Sequence, residues 1–279
     1  MTYSTEDFQK AIAVIRERTT LEPQIGLVLG SGLGGLADTI EDAVVIPYED
    51  IPGWPRSTVH GHSGQLVIGK LQGKTVVAQR GRAHFYEGYT MEQVVFPIHV
   101  MIQLGISTLI LTNAAGGLNE TFRAGDVMLI NDHINFLGMT GVHPLIGPND
   151  DSVGPRFLGM SQTYDRELRE LAIQTAEKNN ITLHQGAYVC LSGPTFETPA
   201  EVRMLRIMGG DSVGMSTVHE VIVARHAGLR VMACSGITNE AIFELDSPVD
   251  TNHEEVLETG QVIVPKLITI LKGVLEAID

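Results

Sequence analysis

Apolar positions along the chain fall into short blocks broken by glycine-rich turns, and between the blocks the apolar period shifts from strand-like to helix-like. Residues 6–18 have helical spacing and predict an amphipathic helix. Gln24-Ile25-Gly26-Leu27-Val28-Leu29 is a short apolar run that reads as a buried strand. Two further strands, 65–70 and 74–79, flank Gln72-Gly73, a hairpin-like turn. Thr90-Met91-Glu92-Gln93 is a capping box and opens a helix to about residue 104. Thr108 to Thr112 reads as another buried strand, and 127–131 as a further one. Residues 136–163 are rich in Gly and Pro with weak periodicity and read as a long loop, a kind of segment that often carries function.

Leu168, Leu171, Ala172 and Thr175 place a helix over 164–178, and 186–191 and 230–235 read as strands. Thr198-Pro199-Ala200-Glu201 combines a capping box with proline at the first helical position. Thr217-Val218-His219-Glu220 is another capping box. Thr251-Asn252-His253-Glu254 opens the C-terminal helix, which Pro265 is placed to kink. Strands and helices interleave over residues 1–279 without linker or repeat. The expectation is one α/β domain with a central mixed, mostly parallel β-sheet flanked by α-helices.

Composition narrows the function classes. Hydrophobic residues make up 43% of the 279 and charged residues 19%, which excludes wholesale disorder. With 19 Lys and Arg against 33 Asp and Glu, the net charge is −14. Such a chain is a poor partner for nucleic acid or an anionic membrane surface. A small anionic substrate remains possible where cations are gathered locally. No uncharged apolar run approaches a membrane span, and Met1–Lys10 has acids where a signal peptide has a basic start. A cytoplasmic location is expected. Cys190 and Cys234 lie in apolar stretches and read as free buried thiols, and no Cys/His group has zinc-ligand spacing.

Several short motifs carry candidate chemistry. Gly30-Ser31-Gly32-Leu33-Gly34-Gly35 follows a strand, and its backbone N–H groups can approach an anion closely. The spacing also fits a dinucleotide fingerprint, with Glu49 and Asp50 near the distance of a ribose-binding acid, and a tight turn would explain it equally. In Gly81-Arg82-Ala83-His84-Phe85-Tyr86-Glu87-Gly88-Tyr89, Arg82 and His84 project to one side of an extended backbone. A guanidinium fork with an imidazole suits a phosphate oxyanion, although a surface ion pair has the same signature. Thr112-Asn113-Ala114-Ala115-Gly116-Gly117 leaves room for a ligand beyond a buried strand. Gly214-Met215-Ser216 precedes a capped helix, where Ser216 either meets an anion or simply caps. In Ser192 to Pro199, Glu197 is a carboxylate able to accept base N–H groups, or a plain helix-start acid, and Phe196 offers a flat apolar face. Asn239, in Ile237-Thr238-Asn239-Glu240, carries both donor and acceptor, which suits a purine edge. Together these residues read as a site for a phosphate-bearing substrate.

In order, GSGLG, GRAHFYEGY, TNAAGGLN, GPTFETPAE and GMSTVHEV resemble the trimeric purine nucleoside phosphorylases, from about residue 20 to the C-terminal helix. The resemblance implies phosphorolysis: 6-oxopurine nucleoside (inosine, guanosine and their deoxy forms) plus inorganic phosphate gives free purine and ribose 1-phosphate. It implies no organic cofactor and no metal, with phosphate as co-substrate. It assigns phosphate binding to Ser31, His62, Arg82, His84, Asn113, the Ala114 backbone and Ser216. Tyr86, Met215 and His253 are assigned to the ribose, and Phe196, Glu197, Val213 and Asn239 to the purine. His84, Glu197 and Asn239 are the expected catalytic groups. Phe157 is expected to reach the ribose site of a neighbouring subunit in a homotrimer. Some members of the family have lysine where this chain has Glu240, which bears on base preference only if that side chain faces the base. Methylthioadenosine phosphorylase, a close relative with the same phosphate site, is the alternative. A nicotinamide dehydrogenase on the glycine fingerprint and a silent nucleoside-binding protein are more distant readings.

Overall fold

Ile25, Leu27, Val28 and Leu29 are all buried, so strand β1 (Ile25–Leu29) has no solvent face and must lie inside a sheet. In a computed structural model, which describes residues 3–30, 33–58, 63–248 and 253–278, β1 pairs in parallel with β4 (Lys74–Arg80) on one side and β5 (Thr108–Gly117) on the other. β2 (Glu41–Pro47) and β3 (Gln65–Leu71) extend the sheet antiparallel beyond β4. Beyond β5 come β8 (Ser212–Gly214), β7 (Leu183–Cys190), β6 (Val127–Asn135) and β9 (Arg230–Glu240), and β9 pairs back onto β5. The sheet is thus an open wing joined to a closed ring of β5, β8, β7, β6 and β9. Closure leaves these short strands without free edges.

Alternation along the strands feeds two cores. Leu109 and Leu111 pack on one face with Ala11 and Ile15 of α1 (Thr5–Arg18), Val95 and Phe96 of α3 (Met91–Leu104) and Val221 of α7 (Val218–His226). Ile110 and Met232 point the other way, onto Leu168 and Ala172 of α5 (Arg166–Lys178) and Leu267, Ile270 and Leu271 of α8 (His253–Ala277). The expected mixed α/β architecture is present, with parallel pairings in the centre and antiparallel ones at β2–β3–β4, β5–β8 and β6–β9.

Four details depart from the sequence pattern. The expected post-strand segments Asn113–Gly117 and Ile237–Glu240 are strand, because β5 and β9 pair with each other from Thr108↔Arg230 to Gly117↔Glu240, across a register shift after Ala115. The loop over 136–163 contains a single helical turn, α4 (Phe136–Met139), capped by the Asn135 side chain. The edge strand β2 and the three-residue β8 were not signalled, since β2 is half exposed and β8 is shorter than any period can reveal. The glycine fingerprint leads into only one helical turn, α2 (Gly34–Ala37). The next strand, β2, pairs antiparallel, and Glu49 and Asp50 are exposed; the βαβ unit that a dinucleotide site needs is therefore missing.

Candidate active site

β1, β4, β5 and β9 run parallel, and their carboxyl ends open on one side of the sheet. A cavity of about 390 Å³ lies there. Gly30, directly after β1, belongs to its wall, where the backbones of β1 and β5 almost touch. A Cβ on Gly30 would stand 2.6 Å from the Thr112 carbonyl oxygen and 3.0 Å from Asn113 Cα. The Thr112 hydroxyl ties the two strands by accepting from the Gly30 amide and donating to the Val28 carbonyl, both at 3.1 Å.

The polar end of the cavity is built around Arg82, which follows β4 and is only 2% exposed. Its Nη1 donates to Ser216 Oγ at 2.9 Å and to Thr217 Oγ1 at 3.2 Å. Its Nε lies 3.5 Å from the buried Glu220 carboxylate on α7. Asn113 Nδ2, from β5, donates to the same Thr217 oxygen at 2.9 Å. Ser216 sits at the amino end of α7, and its amide donates to Tyr188 Oη on β7 at 3.3 Å. A fork-shaped cation, two side-chain hydroxyls and a helix amino terminus therefore converge where an oxyanion would be favoured.

His84 stands beside this group. Its Nδ1 is 3.0 Å from Glu87 Oε1, and a carboxylate can only accept, so the tautomer has its proton on Nδ1. Glu87 also accepts from the His84 amide and from the amide and hydroxyl of Thr58. Burial acts to raise the Glu87 carboxyl, but these hydrogen bonds prevail and hold its pKa at about 2. Glu87 is thus a fixed anion that orients the imidazole. Tyr86 stacks on the same imidazole, with centroids 4.8 Å apart.

Other lining residues bring an aromatic ring, a carboxylate and an amide. Phe196 and Glu197 come from the segment before α6 (Pro199–Ile207), Val213 and Met215 from β8 and its exit, and Asn239 from the end of β9. Burial raises the Glu197 carboxyl above its ordinary value. Thr238 Oγ1 lies 3.1 Å from Asn239 Oδ1 and 3.3 Å from the Ala115 carbonyl, which anchors the amide against β5. Thr198 caps α6 as expected: its hydroxyl accepts from the Glu201 amide, and Glu201 accepts from the Thr198 amide.

The cavity gathers Arg82, His84, Tyr86, Asn113, Ala114, Phe196, Glu197, Val213, Met215, Ser216 and Asn239 from distant parts of the sequence. Ser31, His62 and the side chain of His253 lie outside the described residues. Phe157 is not part of this cavity. It is 90% exposed and borders a separate one of about 420 Å³ with His133, His143 and Arg156. Glu240 does not line this cavity and lies 3.5 Å from Arg123 at the surface. Glu87, Glu220, Thr58 and Thr238 had not been singled out. The capping-box position of Glu220 explains its contact with the Thr217 amide, while its second oxygen faces Arg82. Glu87 stands three residues after His84, a spacing that brings the two together only because 85–87 form a 3₁₀ turn.

Residues 24–276 match the Phosphorylase superfamily. Purine nucleoside phosphorylase 1 of Geobacillus stearothermophilus is 52% identical over 266 residues, covering 95% of each chain. A crystal structure of Schistosoma mansoni purine nucleoside phosphorylase with adenosine superposes with a TM-score of 0.95 at 44% identity, covering 100% of this chain and 99% of that one. The same enzyme with inosine gives 0.95 at 43%, with the same coverage. Matched along almost its whole length in sequence and in fold, with the five motifs meeting in one cavity, the chain belongs to the purine nucleoside phosphorylases of the phosphorylase superfamily.

Proposed function

We propose that this chain cleaves the N-glycosidic bond of 6-oxopurine nucleosides, ribo and deoxy, with inorganic phosphate as the nucleophile. The observation that carries this reading is one cavity lined by two chemically distinct sets of residues. Arg82, Asn113 and Ser216 are joined by hydrogen bonds through Ser216 and Thr217, and Glu197 and Asn239 line the same cavity.

Phosphate held by Arg82, His84, Ser216 and the Ala114 backbone attacks the anomeric carbon of the sugar. As the C–N bond lengthens, the sugar gathers positive charge, which the adjacent phosphate stabilises. The bonding electrons pass to the purine ring. Asn239 hydrogen-bonds N7 and the 6-oxo group as that charge grows, and Glu197 accepts from N1–H. Phosphate closes onto the anomeric carbon as the base departs as an anion, and the proton that hydrogen phosphate gives up on forming ribose 1-phosphate ends on the purine as free base, so no protein atom bonds to the sugar. Ser31 and His62 on the phosphate side, and Tyr86, Met215 and His253 around the ribose, complete the assignment.

The base preference follows from Glu197. Adenine presents N1 as an acceptor and a 6-amino donor, so a carboxylate at N1 repels it. The adenosine complex of the Schistosoma enzyme shows that a related site admits that nucleoside, so discrimination is expected in turnover. The same polarity argument favours this reading over methylthioadenosine phosphorylase. The 90% exposure of Phe157 supports a homotrimer in which that ring covers the neighbour's ribose site. The two buried free thiols fit a reducing cytoplasm.

The test is phosphate consumption during inosine turnover, beside adenosine and a phosphate-free control. Hypoxanthine release that requires phosphate, with kcat/KM for adenosine at least ~100-fold lower, is the expected result. Turnover without phosphate would overturn the reaction. Equal rates on adenosine would overturn the role given to Glu197.

A further inference from the structure

Thr217 departs from the other capping threonines of this chain. Thr90 and Thr198 have ordinary extended backbones, with φ of −68° each, and their hydroxyls accept from the helix amides they cap. Thr217 has φ 73° and ψ −53°; it keeps the reciprocal capping-box arrangement with Glu220, but its hydroxyl makes no cap hydrogen bond of the kind Thr90 and Thr198 make. Positive φ is strained for a β-branched residue. The Ser216 carbonyl accepts from the Val218 amide at 2.8 Å, which closes a tight γ-turn around Thr217. The residue is fully buried and does not line the cavity.

The strain aims the hydroxyl at the phosphate-binding side chains. Thr217 Oγ1 receives hydrogen bonds from Asn113 Nδ2 at 2.9 Å and Arg82 Nη1 at 3.2 Å, and lies 3.1 Å from Ser216 Oγ. Two donors occupy both lone pairs of a hydroxyl oxygen, so the Thr217 proton must leave as a donor, and Ser216 Oγ is the acceptor in reach. Ser216 Oγ already accepts from Arg82 Nη1 at 2.9 Å. Its own proton is then directed outward, into the cavity it lines. Below, the Thr217 amide donates to Glu220 Oε2 at 3.1 Å while Glu220 Oε1 faces Arg82, so the turn and the guanidinium share one anchor.

We infer that Thr217 is a positioning residue for the phosphate nucleophile. It sets the mutual placement of Arg82, Asn113 and Ser216 and forces the Ser216 hydroxyl to act as a donor to the anion. The inference rests on the phosphorolytic reading of the site.

The experiment compares Thr217→Val, which keeps the shape and removes the hydroxyl, with Thr217→Ser, which keeps the hydroxyl. KM for phosphate and for inosine are measured separately, with direct calorimetric titration of inorganic phosphate and of hypoxanthine. Thr217→Val should raise the phosphate KM by about tenfold or more and weaken phosphate binding in parallel. Its inosine KM and hypoxanthine affinity should stay within about twofold of wild type, and Thr217→Ser should recover most of the loss. If Thr217→Val does not fold, Thr217→Ala is measured in its place. An equal rise in both KM values, or a serine variant as poor as valine, would overturn the inference and leave a purely structural turn. A wild-type enzyme that needs no phosphate would instead remove the phosphorolytic reading itself, so the two failures are separable.

Discussion

Glu87 shows how much one side chain can depend on its surroundings. Four donors from His84 and Thr58 converge on its carboxylate and hold its pKa at about 2, against an ordinary 4.5. A carboxyl whose pKa falls on folding stabilises the native state above its unfolded pKa. That contribution is lost as pH falls through the folded value. Wild-type stability should therefore decline between about pH 4.5 and 2, and Glu87→Gln, with nothing to titrate, should show a flatter profile over that window. Thermal melts across acid pH check this; parallel profiles would show that Glu87 does not carry the effect. At this scale the sequence was partly legible. Arg82 and His84 both line the cavity, a pairing that their two-residue spacing suggests. Glu220 and Thr217 looked like helix-capping residues because their contact with Arg82 spans about as many residues as separate β4 from α7, and local spacing holds no record of such a contact.

The elements were legible where their own residues decide them. The capping boxes at Thr90 and Thr198 are local hydrogen-bond exchanges, and both are present. The α6 cap also fixes the segment that carries Phe196 and Glu197. Thr198→Ala should cost about 1 kcal/mol of stability in denaturant unfolding and should raise the inosine KM while leaving the phosphate KM unchanged. A change in the phosphate KM alone would show that this cap does not hold the base end. β5 and β9 ran past their apparent ends for a different reason. The Ala- and Gly-rich stretch Asn113–Gly117 has weak strand propensity, and its strand state comes from pairing with β9. That pairing places Asn113 and Asn239 in the wall of one cavity, so the element the pattern misread is also the one that assembles the site.

At the scale of the molecule, the closed ring and the parallel wing strands β1 and β4 beside it bring the exits of β1, β4, β5, β8 and β9 together, and the charge distribution fits this. In a chain of net charge −14, Arg82, its hydroxyl neighbours and the α7 terminus concentrate at one place the groups that favour a small anion. No helix among the described residues is long and apolar enough to cross a membrane. The proposed trimer makes a prediction at this scale. Phe157→Ala should raise the inosine KM several-fold while sedimentation still reports an unchanged oligomer, and an unaltered KM would remove Phe157 from the neighbour's site. By itself, the sequence determined the alternation of strands and helices, most helix starts and the order of five motifs, because propensity, capping and apolar period act between residues close in the chain. Only the tertiary structure decided the ring closure, the strand state of the two Asn segments, the surface position of Glu240 and the buried Arg82–Thr217–Glu220 group. Each of these depends on partners far apart in sequence, and their free energy exists only once the sheet has brought them into contact.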